Sequence, residues 1–479
     1  MMRVKETVST ILLIAHDFLV SLIVLFSALY LKDYLGKINF LIIKPNPPNF
    51  IIYFQQIWWT SICFVIISFI KKLYNKRLPL WLEAKEIIST AFFTILLSFS
   101  IIYLKKLFNY PRSILLFYFF LISLLLPFTR YLLKLILTKL NIYSKNTIII
   151  GAGNAGKSVA KALTNDKELG FSILGFLDDF KHDEININSK KIPILGKIED
   201  FDKIKQQKKI DCAIIAIPSL DTKKLSKIAA EVQKKVKQIY LIPEMKGIAL
   251  FNTELYHLFD EQLFLLQIDN NLKSYRNRLI KRIFDIIGSI FLTPILLPVI
   301  LIIGIIIKLD SKGPVFFIQK RFGQRNKIFN CVKFRTMYID GDKILYEYLE
   351  NNPKAKNEWE KYRKLKDYDP RITRIGKFLR KTSLDELPQI FNVIMGDMSF
   401  VGPRPYIPSE EKYMGEYKDY ILLTKPGITG LWQISGRNKL KFEDRLKLDV
   451  WYILNWSLWI DIVILIKTIK VVLKREGAY

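Results

Sequence analysis

Cysteine and histidine are scarce in this chain of 479 residues, with three of each. Cys63, Cys212 and Cys331 lie far apart and form no Cys-x-x-Cys pair, so neither a zinc ribbon nor a thioredoxin-type redox centre fits. Three reduced thiols in a cytosol-facing protein is the plain reading. Acid is also in deficit: 44 Asp and Glu against 73 Lys and Arg leave a formal charge of +29. A balance that basic calls for anionic partners, whether nucleic acid, acidic lipid headgroups or phosphorylated small molecules. No nucleic-acid-binding motif occurs, and the aromatic residues fall mostly in apolar stretches, so nucleic acid is not an expected partner. A cleavable-signal pattern is missing too, because the first apolar run is too long for an h-region and is followed by more of the same.

What is present is apolar length. Ser9–Leu31, Phe50–Ile70, Glu86–Leu104 and Arg112–Leu137 each read as a transmembrane helix. Lys71, Lys72, Lys76, Arg77 and Lys85 in one loop, and Arg130, Lys134, Lys139 and Lys145 after the fourth span, place both segments and the N-terminus in the cytoplasm. Lys32, Lys37 and Lys44 in the first loop weaken that bias. His16 and Asp17 lie inside the first span; an ionisable pair there is either functional or sits near the interface or against a neighbouring helix, and the second reading is preferred. A fifth run, Ile283–Leu309, has basic residues at both ends, with Thr293-Pro294 near its middle and Pro298 one turn on. Both ends favour the cytoplasm, which predicts a helix-break-helix hairpin over residues 283–309 that enters the bilayer and returns. A kinked fifth span is the alternative. The run Trp456–Leu473, with Asp461, Lys467 and Lys470, suits a helix lying in the membrane interface.

After residue 145 the periodicity changes to strands alternating with helices. Thr147–Ile150 leads into Gly151-Ala-Gly153-Asn-Ala-Gly156, a helical stretch Lys157–Leu163, and a strand Phe171–Leu177 that ends at Asp178-Asp179. Later strands are expected at Cys212–Ile217 and Gln238–Ile242. Strand, glycine turn, helix, strand and acid fit the dinucleotide fingerprint. In that pattern Gly151, Gly153 and Gly156 would admit a pyrophosphate and Asp178 would bond a ribose hydroxyl. The same turn also serves simply to pack helix on strand. Tyr362-Arg-Lys-Leu-Lys366 has the spacing of a dehydrogenase pair, but it lies in a charged helix far from this unit.

Polar residues cluster in the last third: Lys333-Phe-Arg335, Asp369-Pro-Arg371, Arg380-Lys381-Thr-Ser383-Leu-Asp385-Glu386-Leu-Pro388, Gly402-Pro403-Arg404-Pro405 and Gly436-Arg437-Asn438. Ser383-x-x-Glu386 reads as a capping box with Pro388 in a first helical turn. A carboxylate among arginines at a helix N-terminus is expected to stay ionised, able to attack phosphorus or to ligate Mg²⁺. Arginine forks and Mg²⁺ neutralise a pyrophosphate. The basic run Lys320–Lys327 reads as a surface for acidic lipid heads.

Thr382–Gln389, Gly396–Ser399, Val401–Pro405, Lys425–Gln433 and Ser435–Asn438 resemble the bacterial polyprenyl-phosphate sugar phosphotransferases, the monotopic phosphoglycosyl transferases. The catalytic resemblance covers about Arg278 to Tyr479. The four spans, the middle domain and the ending Lys474–Tyr479 look like the large form of that family, in which galactose is the favoured sugar. The resemblance implies that Asp385 is the nucleophile toward a UDP-sugar, releasing UMP and passing a phosphosugar to undecaprenyl phosphate, with Glu386 helping Asp385 to hold Mg²⁺. Arg380 and Arg404 match its phosphate-binding positions. Lys333, Arg335, Arg371 and Arg437 are taken as further substrate-binding candidates. The expected architecture is a membrane α/β protein: a four-helix transmembrane bundle over 1–140, a Rossmann-like doubly wound domain over 145–265, and a mainly helical catalytic domain over 275–479 carrying the re-entrant hairpin. The bacterial inner membrane, with its acidic lipids and the catalytic domain facing the cytoplasm, is the expected location, and pairing of two copies is compatible with this layout. NAD or another nucleotide in the middle domain is not the favoured reading, although the full glycine fingerprint leaves it open. A membrane sugar-nucleotide dehydratase or epimerase using the Rossmann unit is the competing function; a second fingerprint, which it would need, is missing.

Overall fold

The computed structural model describes residues 2–37, 50–105, 112–181, 183–188, 190–243, 253–258, 263–268, 271–362, 365, 368–437 and 440–474. Asn438, the ending Arg475–Tyr479, Lys44 of the first loop, and Arg363, Lys364 and Lys366 of the dehydrogenase-like spacing lie outside the described residues. The chain divides into two compact units, Met1–Met245 and Lys246–Tyr479.

The first unit opens with α1 (Met2–Lys37), α2 (Phe50–Ile57), α3 (Trp59–Ile70), α4 (Leu80–Leu104) and α5 (Ser113–Lys139). These helices carry four segments long and apolar enough to cross a membrane, close to the expected spans. They share a core that includes Leu25, Phe64, Ile87, Ala91, Tyr118 and Ile122. The interior is also polar. Arg130 is fully buried, pairing with Asp17 at 3.2 Å and Glu83 at 3.1 Å, while Lys134 reaches Glu83 at 2.6 Å. Asp17 therefore faces α5, in keeping with the preferred reading, and His16 Nδ1 lies 3.2 Å from its other oxygen.

The sheet follows: β1 (Lys145–Ile150), α6 (Asn154–Asn165), β2 (Phe171–Leu177), β3 (Ile185–Ile187), β4 (Lys190–Ile192), β5 (Ile194–Gly196), α7 (Phe201–Gln207), β6 (Cys212–Ile215), α8 (Thr222–Lys235) and β7 (Gln238–Leu241). The parallel strands run in the order β5-β2-β1-β6-β7, with crossovers on both sides of β1, the doubly wound arrangement. Two apolar layers cover its faces, one around Ile148, Ile150 and Ile215 and the other around Ile149, Phe176 and Ile214. Alternation along β1 sends its isoleucines to both layers, as a fully covered parallel strand requires. The close packing of α6 depends on Gly156, where a Cβ would stand 2.0 Å from the Gly151 carbonyl oxygen.

The second unit contains β8 (Thr253–Leu258), β9 (Leu263–Ile268), α9 (Tyr275–Asp310), β10 (Phe316–Phe322), β11 (Ile328–Phe334), α10 (Gly341–Glu350), α11 (Pro353–Tyr362), α12 (Arg374–Thr382), α13 (Gln389–Met395), β12 (Ser399–Val401), α14 (Glu411–Met414), α15 (Tyr417–Ile421), β13 (Gly427–Thr429), α16 (Leu431–Ile434), α17 (Phe442–Leu454) and α18 (Leu458–Lys474). Its core gathers side chains from most of these elements, Ile303, Phe334, Val393, Tyr406, Tyr452 and Ile464 among them. Helix α9 is one helical element with Pro294 and Pro298 inside it, rather than two separated helices. Its two ends are anchored on this core. Arg282 donates to the carbonyls of Val393 and Ile394, and the Asp310 carboxylate accepts from the Ile375 amide. Ile290, Phe291 and Ile295, between those ends, are largely uncovered.

Helix α18 is anchored too. Asp461 is buried, accepting from Lys281 Nζ at 2.6 Å, Tyr452 Oη at 2.7 Å and Trp456 Nε1 at 3.1 Å. The reading of Asp461 as an interfacial charge is thus corrected: it neutralises a buried lysine of α9. The opposite face, with Ile466, Ile469 and Leu473 exposed beside Lys470, keeps the interfacial pattern.

Candidate active site

The acid pair lies at the joint between α12 and α13. Thr373 caps α12, its hydroxyl accepting from the Gly376 amide at 2.9 Å. The helix ends at Ser383, whose φ of 58° is left-handed. Such a conformation is uncommon for a residue with a Cβ, and it turns the chain sharply into a 3₁₀ turn over Leu384–Glu386. The capping box expected from Ser383 and Glu386 does not form: Ser383, at once the end of α12 and the start of the 3₁₀ turn, makes no side-chain cap. Pro388 stands just before α13, whose missing N–H costs nothing there.

Strand β11 supplies the cation. Lys333 Nζ donates to Glu386 Oε1 at 2.6 Å. Burial works against the Lys333 charge, but Glu386 and Asp385 outweigh it and raise the ammonium above its ordinary value. Asp385 behaves oppositely. Burial and then the neighbouring Glu386 push its carboxyl up to about 6, against the pull of Lys333 and Arg380. Asp385 is thus held less firmly ionised than its cations alone would make it, because desolvation and a like charge outweigh them, and it still carries its charge at neutral pH. Arg380 holds its place through Nε, 2.8 Å from Thr336 Oγ1, and feels the charges of Asp385 and Asp369. Arg437 reaches the same joint, with Nη2 3.5 Å from Ser383 Oγ.

The remaining expected cations are placed differently. Arg371 is engaged by Asp369 at 2.8 and 2.7 Å and stacks over Trp359. Arg335 is buried and donates to the carbonyls of Ser311 and Lys312 beyond the end of α9, a structural anchorage. Lys381 is exposed. Arg404 pairs with Glu410 at 3.2 Å and lies near the Trp432 ring. Its backbone is set by Asp449 of α17, whose Oδ2 accepts from the Arg404 amide at 3.2 Å and from Tyr406 Oη at 2.9 Å. Asp449 is fully buried, and burial pushes its carboxyl up to about 7. Arg321 of β10 feels the charges of Arg404, Glu410 and Glu386 and donates to the Pro405 carbonyl at 2.9 Å. Arg321 lies within the run read as a lipid-facing surface; its guanidinium turns inward instead. The sequence reading passed over Arg321, Thr336, Glu410 and Asp449. Arg445 and Asp449, four apart in one helix, were the signal available.

The loop that carries Arg404 leaves the β12–β13 pair, where Gly402 is indispensable. A Cβ there would meet the Lys425 carbonyl oxygen at 2.5 Å and the Gly427 nitrogen at 2.6 Å.

Among the described residues no group of three or more His, Cys, Asp or Glu could cage a metal. Asp385 and Glu386 offer two hard oxygen donors, the set Mg²⁺ takes when substrate phosphates complete its shell. The residues fit an ion held jointly with a pyrophosphate.

In the doubly wound sheet, Asp178 folds onto the glycine turn: Oδ2 accepts from the Ala152 amide at 2.7 Å and Oδ1 from Phe180 and Lys181. Lys181 Nζ in turn donates to the Ala152 carbonyl. Gly153 has open space around it.

The family described as "Bacterial sugar transferase" matches residues 276–475, and that described as "CoA-binding domain" matches residues 75–243. The chain is 40% identical to an "Undecaprenyl-phosphate galactose phosphotransferase" of Salmonella typhimurium over 85% of its own length and 84% of the relative's. It is 37% identical to a "UDP-galactose-lipid carrier transferase" of Erwinia amylovora over 85% and 84%. An "Exopolysaccharide production protein ExoY" of Sinorhizobium fredii is 44% identical over 42% of this chain and 88% of that relative.

Proposed function

The chain belongs to the polyprenyl-phosphate sugar phosphotransferases, and from that membership we propose that it moves galactose 1-phosphate from UDP-galactose to undecaprenyl phosphate through a phosphosugar ester of Asp385. The single observation that carries the mechanism is the geometry at the joint: one half-buried carboxyl, with no ion pair among the described residues, beside Lys333, Arg380 and a second acid. Galactose is supported by the names of two relatives that share most of this chain's length.

In the first step an Asp385 oxygen bonds to the β-phosphorus, and the bond from that phosphorus to the bridging oxygen breaks. UMP leaves with the bridging oxygen and its electron pair. Lys333 and Arg380, which both act on the Asp385 carboxylate, would neutralise the negative charge that gathers on the non-bridging oxygens. In the second step an oxygen of undecaprenyl phosphate attacks the same phosphorus, the aspartyl–phosphorus bond breaks, and the carboxylate is restored with a polyprenyl diphosphate sugar as product. Magnesium, when bound at Asp385 and Glu386, would supply charge neutralisation of the pyrophosphate. Burial that raises Asp385 also strips water from the nucleophile and from the ester it forms.

The acceptor is lipid-borne, so the site must meet a bilayer. Both ends of α9 return to one core while its proline-containing middle is uncovered. We read that middle as the part that enters the membrane, with its two charged ends on the same side. A UMP-release assay with Mg²⁺ and undecaprenyl phosphate, run across UDP-galactose, UDP-glucose and UDP-N-acetyl sugars, tests the assignment. Turnover is expected to be fastest with UDP-galactose. Preference for UDP-glucose would overturn the sugar, and inertness toward every UDP-sugar would overturn the reaction.

A further inference from the structure

A cleft of about 590 Å³ opens where the end of α5 meets the doubly wound sheet. Leu135, Leu163 and Ile173 give it apolar walls, and Lys139, Lys167, Lys190 and Lys191 stand around it, with no Asp or Glu in the lining. Lys191 has Glu184 at 3.8 Å; among the described residues Lys139, Lys167 and Lys190 have no acid within ion-pair distance. The Thr138 hydroxyl on the same wall is buried without a hydrogen-bond partner. Four like charges gathered around one cleft, three of them without an acid within ion-pair distance, repel one another, and an anion in the cleft relieves that repulsion.

Depth along α5 says where such an anion comes from. At 1.5 Å per residue Leu135 lies about 33 Å from Ser113, and Lys139 about 39 Å. The hydrocarbon core of a bilayer is about 30 Å thick. Outward apolar side chains on α5 persist to Ile136, which is 56% exposed. The cleft therefore falls in the headgroup layer, with an apolar wall continuous with the lipid-facing side of the helix.

We propose that this cleft binds the phosphate of an acidic phospholipid, its acyl chains lying along α5. The inference rests on α5 crossing the membrane and is independent of the sugar and of the aspartyl ester. It assigns a lipid-sensing contact to the domain that does no transfer chemistry: a basic pocket at the end of a membrane helix is a favourable seat for an anionic headgroup.

The test is native mass spectrometry of the full chain in detergent, titrated with phosphatidylglycerol, phosphatidylethanolamine or glycerol 3-phosphate. Three proteins are compared: the natural chain, a cleft variant with Lys139→Gln, Lys167→Gln, Lys190→Gln and Lys191→Gln, and a control with Lys223→Gln, Lys224→Gln, Lys227→Gln and Lys234→Gln on α8. Thermal unfolding checks that both variants fold; all the replaced side chains are exposed. The natural chain and the control are expected to retain phosphatidylglycerol over phosphatidylethanolamine, and the cleft variant to bind it at least about ten-fold more weakly. Equal binding by all three proteins, or equal losses in both variants, would overturn the site. Glycerol 3-phosphate binding as tightly as phosphatidylglycerol would reassign the cleft to a soluble phosphate ester and overturn the lipid.

Discussion

Asp385 and Asp449 are both carboxyls raised by burial, and they serve opposite ends. Asp385, at about 6, is mostly ionised at neutral pH yet poorly solvated, a condition suited to a nucleophile. Asp385→Asn should abolish UMP release while thermal stability, measured without divalent cation, stays equal or rises, because a buried charge has been removed. Lys333→Met leaves Glu386 and Asp385 facing each other without their shared cation. A fall in kcat of about 10²-fold is expected for it. Asp449 titrates at about 7 when folded, against an ordinary value of 3.8, so the folded chain holds that proton more tightly than the unfolded one. Its contribution is therefore full below pH 4 and is lost as pH rises toward 7, at about 1.4 kcal/mol per unit. Melting temperature should decline across that window in the natural chain and decline less in Asp449→Asn.

At the scale of elements, the short β12–β13 pair decides where Arg404 stands. Gly402→Ala forces a Cβ into the backbone of Lys425 and Gly427, an overpacking worth about 1–3 kcal/mol. It should cut activity at least about ten-fold by displacing the Arg404 loop, seen as a raised KM for the UDP-sugar. In the first unit, Arg130→Ala leaves buried Asp17 with only His16 beside it and leaves Glu83 to Lys134 alone. A loss of about 3–5 kcal/mol follows, read as a lowered melting temperature in detergent. Much at this scale was legible in the residues. Long apolar runs marked the four long apolar helical segments, though their ends run up to seven residues further, and β-branched runs marked four of the five parallel strands, missing β5, because hydrophobic length and period are local properties. The β10–β11 and β8–β9 hairpins were not foreseen. Phe316–Phe322 mixes apolar and basic residues, and its turn rests on left-handed Arg325 and Asn326 rather than on glycine. Prolines in α9 suggested a break that the helix accommodates as one element.

At the scale of the molecule, two units with separate cores divide the work. The candidate site, from Arg321 to Asp449, lies wholly within Lys246–Tyr479. A relative that this chain matches over 88% of that relative's length, using 42% of its own, has little besides that unit. Residues 246–479 alone, in membranes, should keep UMP release within about ten-fold of the full chain. The acid pair and its lysine were legible as a candidate phosphate site because carboxylates and cations crowd the last third of the sequence. Which cations serve it was not: Arg335 and Arg371 are spent on Ser311, Lys312 and Asp369. Arg321, from a distant hairpin, stands nearer to Glu386 than its place in the chain suggests. Partners of that kind are set by tertiary folding. The most direct measurement is a single turnover with labelled UDP-galactose and Mg²⁺ in the absence of any polyprenyl phosphate. One equivalent of UMP, with the label carried on the peptide containing Asp385, is the predicted result. UMP appearing only when the acceptor is added, with no labelled peptide, would contradict it.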